Sequence, residues 1–150
     1  MRQADATFIP SVWERLTVPS TPSLLTLEQH KRGITRDLES LLNTRNAIAD
    51  GDLAGLPLCR RSVGHFGLAD FAQLCLSSSA DRKDICDQLE TAIALHEPRL
   101  AGVRVQLIHE PGVVNRLSFI ITAQLRTVSA GERVRFDVML EPSSLHYSIR

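Results

Sequence analysis

The chain has 150 residues, 43% of them hydrophobic and 23% charged, and its 17 Lys and Arg residues are balanced by 17 Asp and Glu residues. This length and composition are typical of one soluble globular domain that can bury a core. The zero net charge provides no general affinity for nucleic acid, and no apolar run approaches the ~20 residues of a membrane span.

The cysteines and the N-terminus favour an intracellular protein. The three cysteines, Cys59, Cys75 and Cys86, have no metal-ligand spacing with each other or with the five histidines, and their odd number disfavours a disulfide framework. The first residues include Asp5 and lack the basic and apolar regions of a secretory signal. We therefore expect a cytoplasmic protein with no metal and no cofactor.

The first 23 residues have the composition of an arm. They contain several Ser and Thr residues and three prolines, Pro10, Pro19 and Pro22. This predicts a flexible N-terminal arm over residues 1–23, followed by a single domain over residues 24–150. Within the arm, residues 10–16 favour one or two helical turns whose apolar face includes Trp13 and Leu16. Trp13 either covers the domain's own core or anchors a partner protein, a role in which tryptophan is over-represented.

The first clear helix follows this arm. Thr26 and Gln29 have the spacing of a capping box, and an apolar series with helical period begins after them. The pattern predicts a helix of about five turns that runs to about Arg45, with residues 43–45 as its polar end.

A loop and a second helix come next. Residues 62–68 contain two glycines and predict a loop, and Asp70, Phe71 and Leu74 suggest a short helix after it. Ser78 and Asp81 have the spacing of a second capping box. They precede a helix with apolar residues on one face. These residues are Ile85, Leu89, Ala92 and Ile93, together with His96.

The sequence Glu97-Pro98-Arg99 lies where helical periodicity ends. Pro98 cannot donate a backbone hydrogen bond and disfavours a helical conformation at Glu97, so the helix should stop here. One interpretation is a helix terminator with a surface ion pair between Glu97 and Arg99. The other is an exposed charged corner that a partner protein grips.

After this corner the hydrophobic period changes to two. Alternating patterns cover residues 103–108, 117–126, 133–140 and 145–149, with short connections between them. Such alternation predicts antiparallel strands with one face on the helices and the other partly solvated. The predicted fold class is α+β, with N-terminal helices packed on a C-terminal antiparallel sheet of three or four strands.

The residues do not form a recognisable active site. Glycoside hydrolysis needs two carboxyl groups about 5–10 Å apart across a cleft. Glu97 could supply one, with Glu90 or Glu110 as the nearest candidates for the other, but none of them has a catalytic sequence context. We therefore expect a protein that is not an enzyme.

Four sequence blocks occur in a fixed order. They are Arg36-Asp37-Leu38 with Leu41 to Arg45; Ser62-Val63 with Phe66-Gly67-Leu68 and Asp70-Phe71; Glu97-Pro98-Arg99-Leu100; and Val103 with Val105. Together they resemble the TssE family, the gene-25-like baseplate subunits of type VI secretion systems. The sequence Val12 to Leu16 is similar to the short N-terminal arm of the family. The chain departs from the family at Gly64-His65, where an apolar residue and an Asn are usual.

The resemblance implies a structural role in a cytoplasmic baseplate. The implied partners are the baseplate subunits TssF, TssG and TssK and the contractile TssB–TssC sheath, with no direct insertion into a membrane. The C-terminal strands would then accept a sheath strand by strand addition and help to nucleate the sheath. The residues expected to contact partners are Glu97, Pro98, Arg99, Trp13, Leu16 and Arg45.

Two other function classes remain open from the sequence. The older lysozyme-like label of the family suggests a peptidoglycan hydrolase, which would lose its activity in Glu97→Gln. A regulatory or adaptor domain unrelated to secretion would instead be a stable monomer without baseplate partners.

Overall fold

The computed structural model describes residues 7–17, 24–70, 78–108, 118–126, 131–141, 144 and 146–150. The chain divides into two compact units, residues 1–36 and 37–150. The boundary between an arm and a domain near residue 24 stays a prediction. The short helix suggested around Phe71 and Leu74 lies outside the described residues.

Helices precede strands, which confirms the predicted α+β class. The helices are α1 (Val12–Thr17), α2 (Leu27–Leu42), α3 (Pro57–Arg60) and α4 (Ser79–His96), with short 3-10 helices at Asp50–Leu53 and Val63–His65. The strands are β1 (Leu100–Ile108), β2 (Ser118–Leu125), β3 (Arg133–Glu141) and β4 (His146–Ile149). They form one four-stranded antiparallel sheet in the order β1-β2-β3-β4.

The first unit contains α1 and the start of α2. Ser11 and Glu14 cap α1 reciprocally, because the Glu14 amide donates to Ser11 Oγ at 3.2 Å and the Ser11 amide donates to Glu14 Oε2 at 2.8 Å. Phe8 and Leu25 exchange two backbone hydrogen bonds of 3.0 and 2.7 Å. The Phe8 ring also stacks on His30, with ring centroids 4.2 Å apart. These contacts order residues 8–14 locally.

The helix starts agree with the sequence better than the helix ends do. Thr26 and Gln29 form the predicted capping box, with hydrogen bonds of 2.9 and 3.3 Å. The Ser78 hydroxyl accepts from the Asp81 amide at 3.3 Å, as its spacing predicts. However, α2 ends at Leu42 rather than near Arg45.

The early end of α2 has a tertiary cause. Arg45 forms an isolated parallel bridge with Leu68. The Leu68 amide donates to the Thr44 carbonyl at 2.8 Å, and the Asn46 amide donates to the Leu68 carbonyl at 3.0 Å. The Thr44 amide still donates to the Leu41 carbonyl at 3.3 Å, but the Thr44 carbonyl and the Asn46 amide bond to Leu68 of the loop instead of continuing the helix.

Gly67 makes this contact possible. Its φ is +118°, and a Cβ atom at this position would lie 2.6 Å from the Thr44 carbonyl oxygen. Only glycine adopts this backbone conformation easily and lets the two backbones approach so closely.

The core of the second unit lies between the helices and one face of the sheet. Helix α4 contacts β1 and buries Ile85, Leu89 and Ile93. The strands bury alternate residues, so the predicted period of two is confirmed. The inward strand residues include Val105, Phe119, Ile121, Ala123, Leu125, Val134, Phe136, Val138 and Tyr147. Removal of this apolar surface from water stabilises the unit.

Candidate functional site

The charged corner between α4 and β1 is a compact ion-pair network. Arg99 donates from Nε to Glu97 Oε1 at 2.6 Å and from Nη2 to Glu97 Oε2 at 2.5 Å. The same Nη2 donates to Asp37 Oδ2 of α2 at 2.6 Å. The bidentate contact with Glu97 fixes the guanidinium plane, and the contact with Asp37 ties the corner to α2.

The backbone of the corner is equally well bonded. The Glu97 amide donates to the Ile93 carbonyl at 2.8 Å, the last bond of α4. The Leu100 amide donates to the Glu97 carbonyl at 3.1 Å, and the Arg99 carbonyl accepts from the Arg126 amide at 2.8 Å. Helix termination at this point is therefore confirmed. The tight turn carries the chain directly from α4 into β1.

The expectation of an exposed acid at this corner is wrong. Glu97 is only 4% exposed, while Arg99 is partly buried and Pro98 is exposed. A buried carboxylate needs a cationic partner and hydrogen bonds, and Arg99 supplies both. Burial by itself lowers the pKa of Arg99, but the hydrogen bonds and charges of Glu97 and then Asp37 raise it above its ordinary value. The surface of the corner therefore consists of Pro98 and Arg99, and the buried Glu97 carboxylate fixes the orientation of the Arg99 side chain.

The outer edge of β4 is bonded to the side chain of Glu39 in α2 and to that of Asn43, the residue directly after this helix. The amide of Tyr147 donates to Asn43 Oδ1 at 2.8 Å, and its carbonyl accepts from Asn43 Nδ2 at 2.9 Å. Farther along the strand, the Ile149 amide donates to Glu39 Oε1 at 2.9 Å. These groups face away from β3, and the helix side chains occupy positions that a further strand would use.

The sequence pattern did not reveal this role of Glu39 and Asn43. Residues 43–45 read as an ordinary polar helix end, although Asn43 lies in the first family block. Arg45, predicted as a partner contact, is exposed but bonds within the chain. It donates to the Leu42 carbonyl at 3.4 Å and to the hydroxyl of Tyr147. Burial raises the pKa of Tyr147, and Arg45 partly opposes this shift.

The outer edge of β1 is covered in a similar way by α4. The Val105 amide donates to Glu90 Oε1 at 2.8 Å. The Leu107 amide donates to the thiol of Cys86, one helical turn before Glu90. Burial raises the pKa of Cys86 despite this hydrogen bond, so the thiol stays protonated. Side chains of α2 and α4 thus hold amides on both edges of the sheet, which limits unspecific pairing with other chains.

The α1 surface, defined here as Ile9, Val12, Trp13 and Leu16, is apolar and exposed. Trp13 is 64% exposed and Leu16 is 76% exposed. No residue of α1 is buried. The choice between the two sequence interpretations of Trp13 stays a prediction. A contiguous exposed apolar cluster of this kind often marks an interaction site.

The departure from the family at Gly64-His65 is part of a histidine contact. His96 Nε2 donates to the His65 carbonyl at 3.1 Å, and the two rings stack with centroids 6.2 Å apart. His65 is 6% exposed. Burial lowers the pKa of His96, and the His65 carbonyl opposes this shift. The pair joins the loop to the last turn of α4, next to the charged corner.

The carboxylates considered for hydrolysis have other contacts. Glu90 binds the Val105 amide and Arg104, and Glu97 binds Arg99, which also pairs with Asp37. Glu110 lies outside the described residues. Within the described ranges, no three His, Cys, Asp or Glu side chains are grouped as metal ligands would be. None of the described helices is long and apolar enough to cross a membrane.

Comparison with known proteins agrees with this arrangement of sequence blocks. Residues 28–130 match the family model described as baseplate wedge protein gp25. A search of curated proteins gives no match. The matched region contains α2 except its first residue, together with α4, β1, β2, the contact between residues 44–46 and Leu68, and the charged corner. The chain therefore belongs to the baseplate wedge protein gp25 family.

Proposed function

We propose that the chain is a TssE-type structural subunit of a type VI secretion baseplate. It would act in the cytoplasm, bind the wedge subunits TssF, TssG and TssK, and link them to the TssB–TssC sheath. The family match over residues 28–130 is the observation that carries this proposal. The order of the four sequence blocks supports the TssE branch of the family.

The α1 surface and the charged corner are the proposed contacts with wedge subunits. Trp13 and Leu16 would insert into an apolar groove of a partner, because large exposed apolar side chains are favourable anchors. Pro98 and Arg99 would contact a second partner surface, while Glu97 orients Arg99 through its bidentate hydrogen bonds. Arg45 would act indirectly, by holding Tyr147 and the end of α2.

The β4 edge is the proposed attachment point for a sheath strand. An incoming strand would replace the side-chain hydrogen bonds of Asn43 and Glu39 by backbone hydrogen bonds. Such an exchange keeps the β4 amides bonded, so it costs little free energy. The β1 edge is a poorer acceptor because a bulge between Ala101 and Arg104 interrupts its register. Strand edges that are already positioned in a baseplate would lower the entropic cost of sheath nucleation.

We do not propose a peptidoglycan hydrolase. A general acid must reach the glycosidic oxygen from a cleft. Glu97 is 4% exposed, and both of its oxygens accept hydrogen bonds from Arg99. This geometry favours a structural role for the carboxylate.

Co-purification with TssF, TssG and TssK tests wedge binding. The variant Trp13→Ala with Leu16→Ala should lose the complex. The matched control, Leu58→Ala with Val63→Ala, removes side chains that are 82% and 89% exposed elsewhere and should retain it. Swapping Glu97 and Arg99 keeps an ion pair but reverses its polarity, and should weaken the complex. If the folded wild-type chain binds none of the three subunits, the proposal is wrong.

A proline substitution tests strand addition separately. The Ile149 amide points away from β3, so Ile149→Pro removes a group that an added strand needs and leaves the pairing with β3. We expect this variant to bind wedge subunits but to form no TssB–TssC sheath. The proposed attachment at β4 would be refuted by normal sheaths in a variant whose melting temperature is close to that of the wild type.

A further inference from the structure

The solvent face of the sheet has a basic end whose residues belong neither to the charged corner nor to the strand edges described above. Arg104 of β1 pairs with Thr122 of β2, which pairs with Arg135 of β3. In the next row, Gln124 of β2 pairs with Arg133 of β3. All five side chains are exposed and lie on the face opposite the apolar core. They line a groove of about 450 Å³.

The groove has an excess of positive charge. Arg104 pairs with Glu90 at 3.1 Å, and Arg135 pairs with Asp137 at 2.7 Å. In the part of the chain that the structure describes, Arg133 forms no ion pair. The Arg104 and Arg135 side chains are 74% and 60% exposed, so their pairs with acids at the border of the groove are weak and easily exchanged.

The spacing of the arginines suits carboxylates on a polypeptide. Arg133 and Arg135 are two residues apart on one strand, which places them about 7 Å apart, and two strand intervals separate Arg104 from Arg135 by about 10 Å. Glutamates four residues apart on a helix have Cβ atoms about 6 Å apart, close to the first of these distances. Thr122 and Gln124 between the arginines supply hydrogen-bonding groups for the same segment.

We propose that this face, Arg104, Arg133 and Arg135 with Thr122 and Gln124, binds an acidic helical segment of a partner protein. A nucleic acid is the poorer candidate because the whole chain has 17 basic and 17 acidic residues and therefore no general attraction for phosphate backbones. The proposal does not depend on a baseplate role, since it follows from the charge and register of the sheet alone.

Fluorescence anisotropy with a labelled helical peptide tests the proposal on the full chain. The probe has glutamates four residues apart, and a second peptide has glutamine at the same positions. We expect the acidic peptide to bind at low salt, to bind more weakly as salt rises, and the glutamine peptide not to bind. Absence of binding by the acidic peptide at low salt would overturn the proposal.

Variants of the chain locate the binding face. The double variant Arg133→Gln with Arg135→Gln should bind the acidic peptide about tenfold more weakly than the wild type. The double variant Arg133→Lys with Arg135→Lys keeps both positive charges and should restore most of the affinity. Arg61→Gln with Lys83→Gln removes the same charge from exposed positions outside the groove and should leave binding unchanged. An equal loss in this control would mean unspecific attraction and refute the site. A labelled DNA duplex that binds as tightly and is weakened by the same sheet variants would refute the choice of partner.

Discussion

Replacement of Glu97 by glutamine isolates the contribution of the buried carboxylate to the corner. The substitution keeps the side-chain shape and one oxygen acceptor. That oxygen can still accept from the Nε and backbone amide of Arg99, which now contact Glu97 Oε1 at 2.6 and 3.2 Å. The new amide group, however, faces Arg99 Nη2, where Oε2 accepts at 2.5 Å in the wild type. The substitution therefore replaces one charged hydrogen bond by an unfavourable contact between two donors, the glutamine amide group and Arg99 Nη2.

The cost follows from the contacts that remain. A hydrogen bond to a charged group contributes about 1.5–3 kcal/mol, and Asp37 still neutralises Arg99, so we expect a loss of about 2 kcal/mol in the free energy of unfolding. For a chain of this length, such a loss lowers the melting temperature by about 4–8 °C. Asp37→Asn should cost about 1 kcal/mol or less, because the Asp37 side chain is 36% exposed and its ion pair with Arg99 is therefore partly screened by solvent.

Urea and thermal unfolding of the isolated chain, followed by circular dichroism, measure these losses. The double variant should lose more than the sum of the single variants, because Arg99 then has no carboxylate partner at all. The reasoning would be refuted if Glu97→Gln changed the free energy of unfolding by less than about 0.5 kcal/mol, or if Asp37→Asn cost more than Glu97→Gln.

Three further predictions concern the contacts around the corner. Gly67→Ala should cost about 3 kcal/mol or more in urea unfolding, because a Cβ atom would lie 2.6 Å from the Thr44 carbonyl. Gly55→Ala, with positive φ but open space, is the matched control and should cost only about 1 kcal/mol. Equal losses would contradict the close approach. Asn43→Ala should cost about 2 kcal/mol and expose the β4 edge, so light scattering should show association that rises with concentration; an equally stable monomer would contradict this. Burial lowers the pKa of His96 below its ordinary 6.5, so the native state binds fewer protons than the unfolded state. The stabilisation of the native state by neutral His96 is therefore complete above pH 6.5 and decreases as the pH falls below that value. Melting temperatures between pH 7.5 and 5.5 should therefore fall more steeply for the wild type than for His96→Gln, and parallel curves would refute this.

The secondary structure followed largely from local chemistry. The Thr26 and Ser78 caps, the stop before Pro98 and the alternation of β2 and β3 each depend on neighbouring residues, so the sequence pattern predicted them correctly. The end of α2 was predicted wrongly because it depends on Leu68, more than twenty residues away. The roles of Glu39 and Asn43 were missed for the same reason, since their partners lie in β4.

The sequence by itself determined the fold class, the positions of most helices and strands, and the family to which the chain belongs. Periodicity and capping are local, and the family blocks are recognised by residue type and order. The tertiary structure alone decided which of these residues face solvent. In the structure Glu97 is buried and bonded to Arg99, and the α1 surface is exposed. Side chains in or next to helices bond to both edges of the sheet. The physical reason is that burial and ion pairing depend on contacts between residues that are distant in the chain. A local sequence pattern contains no information about which distant residues come into contact.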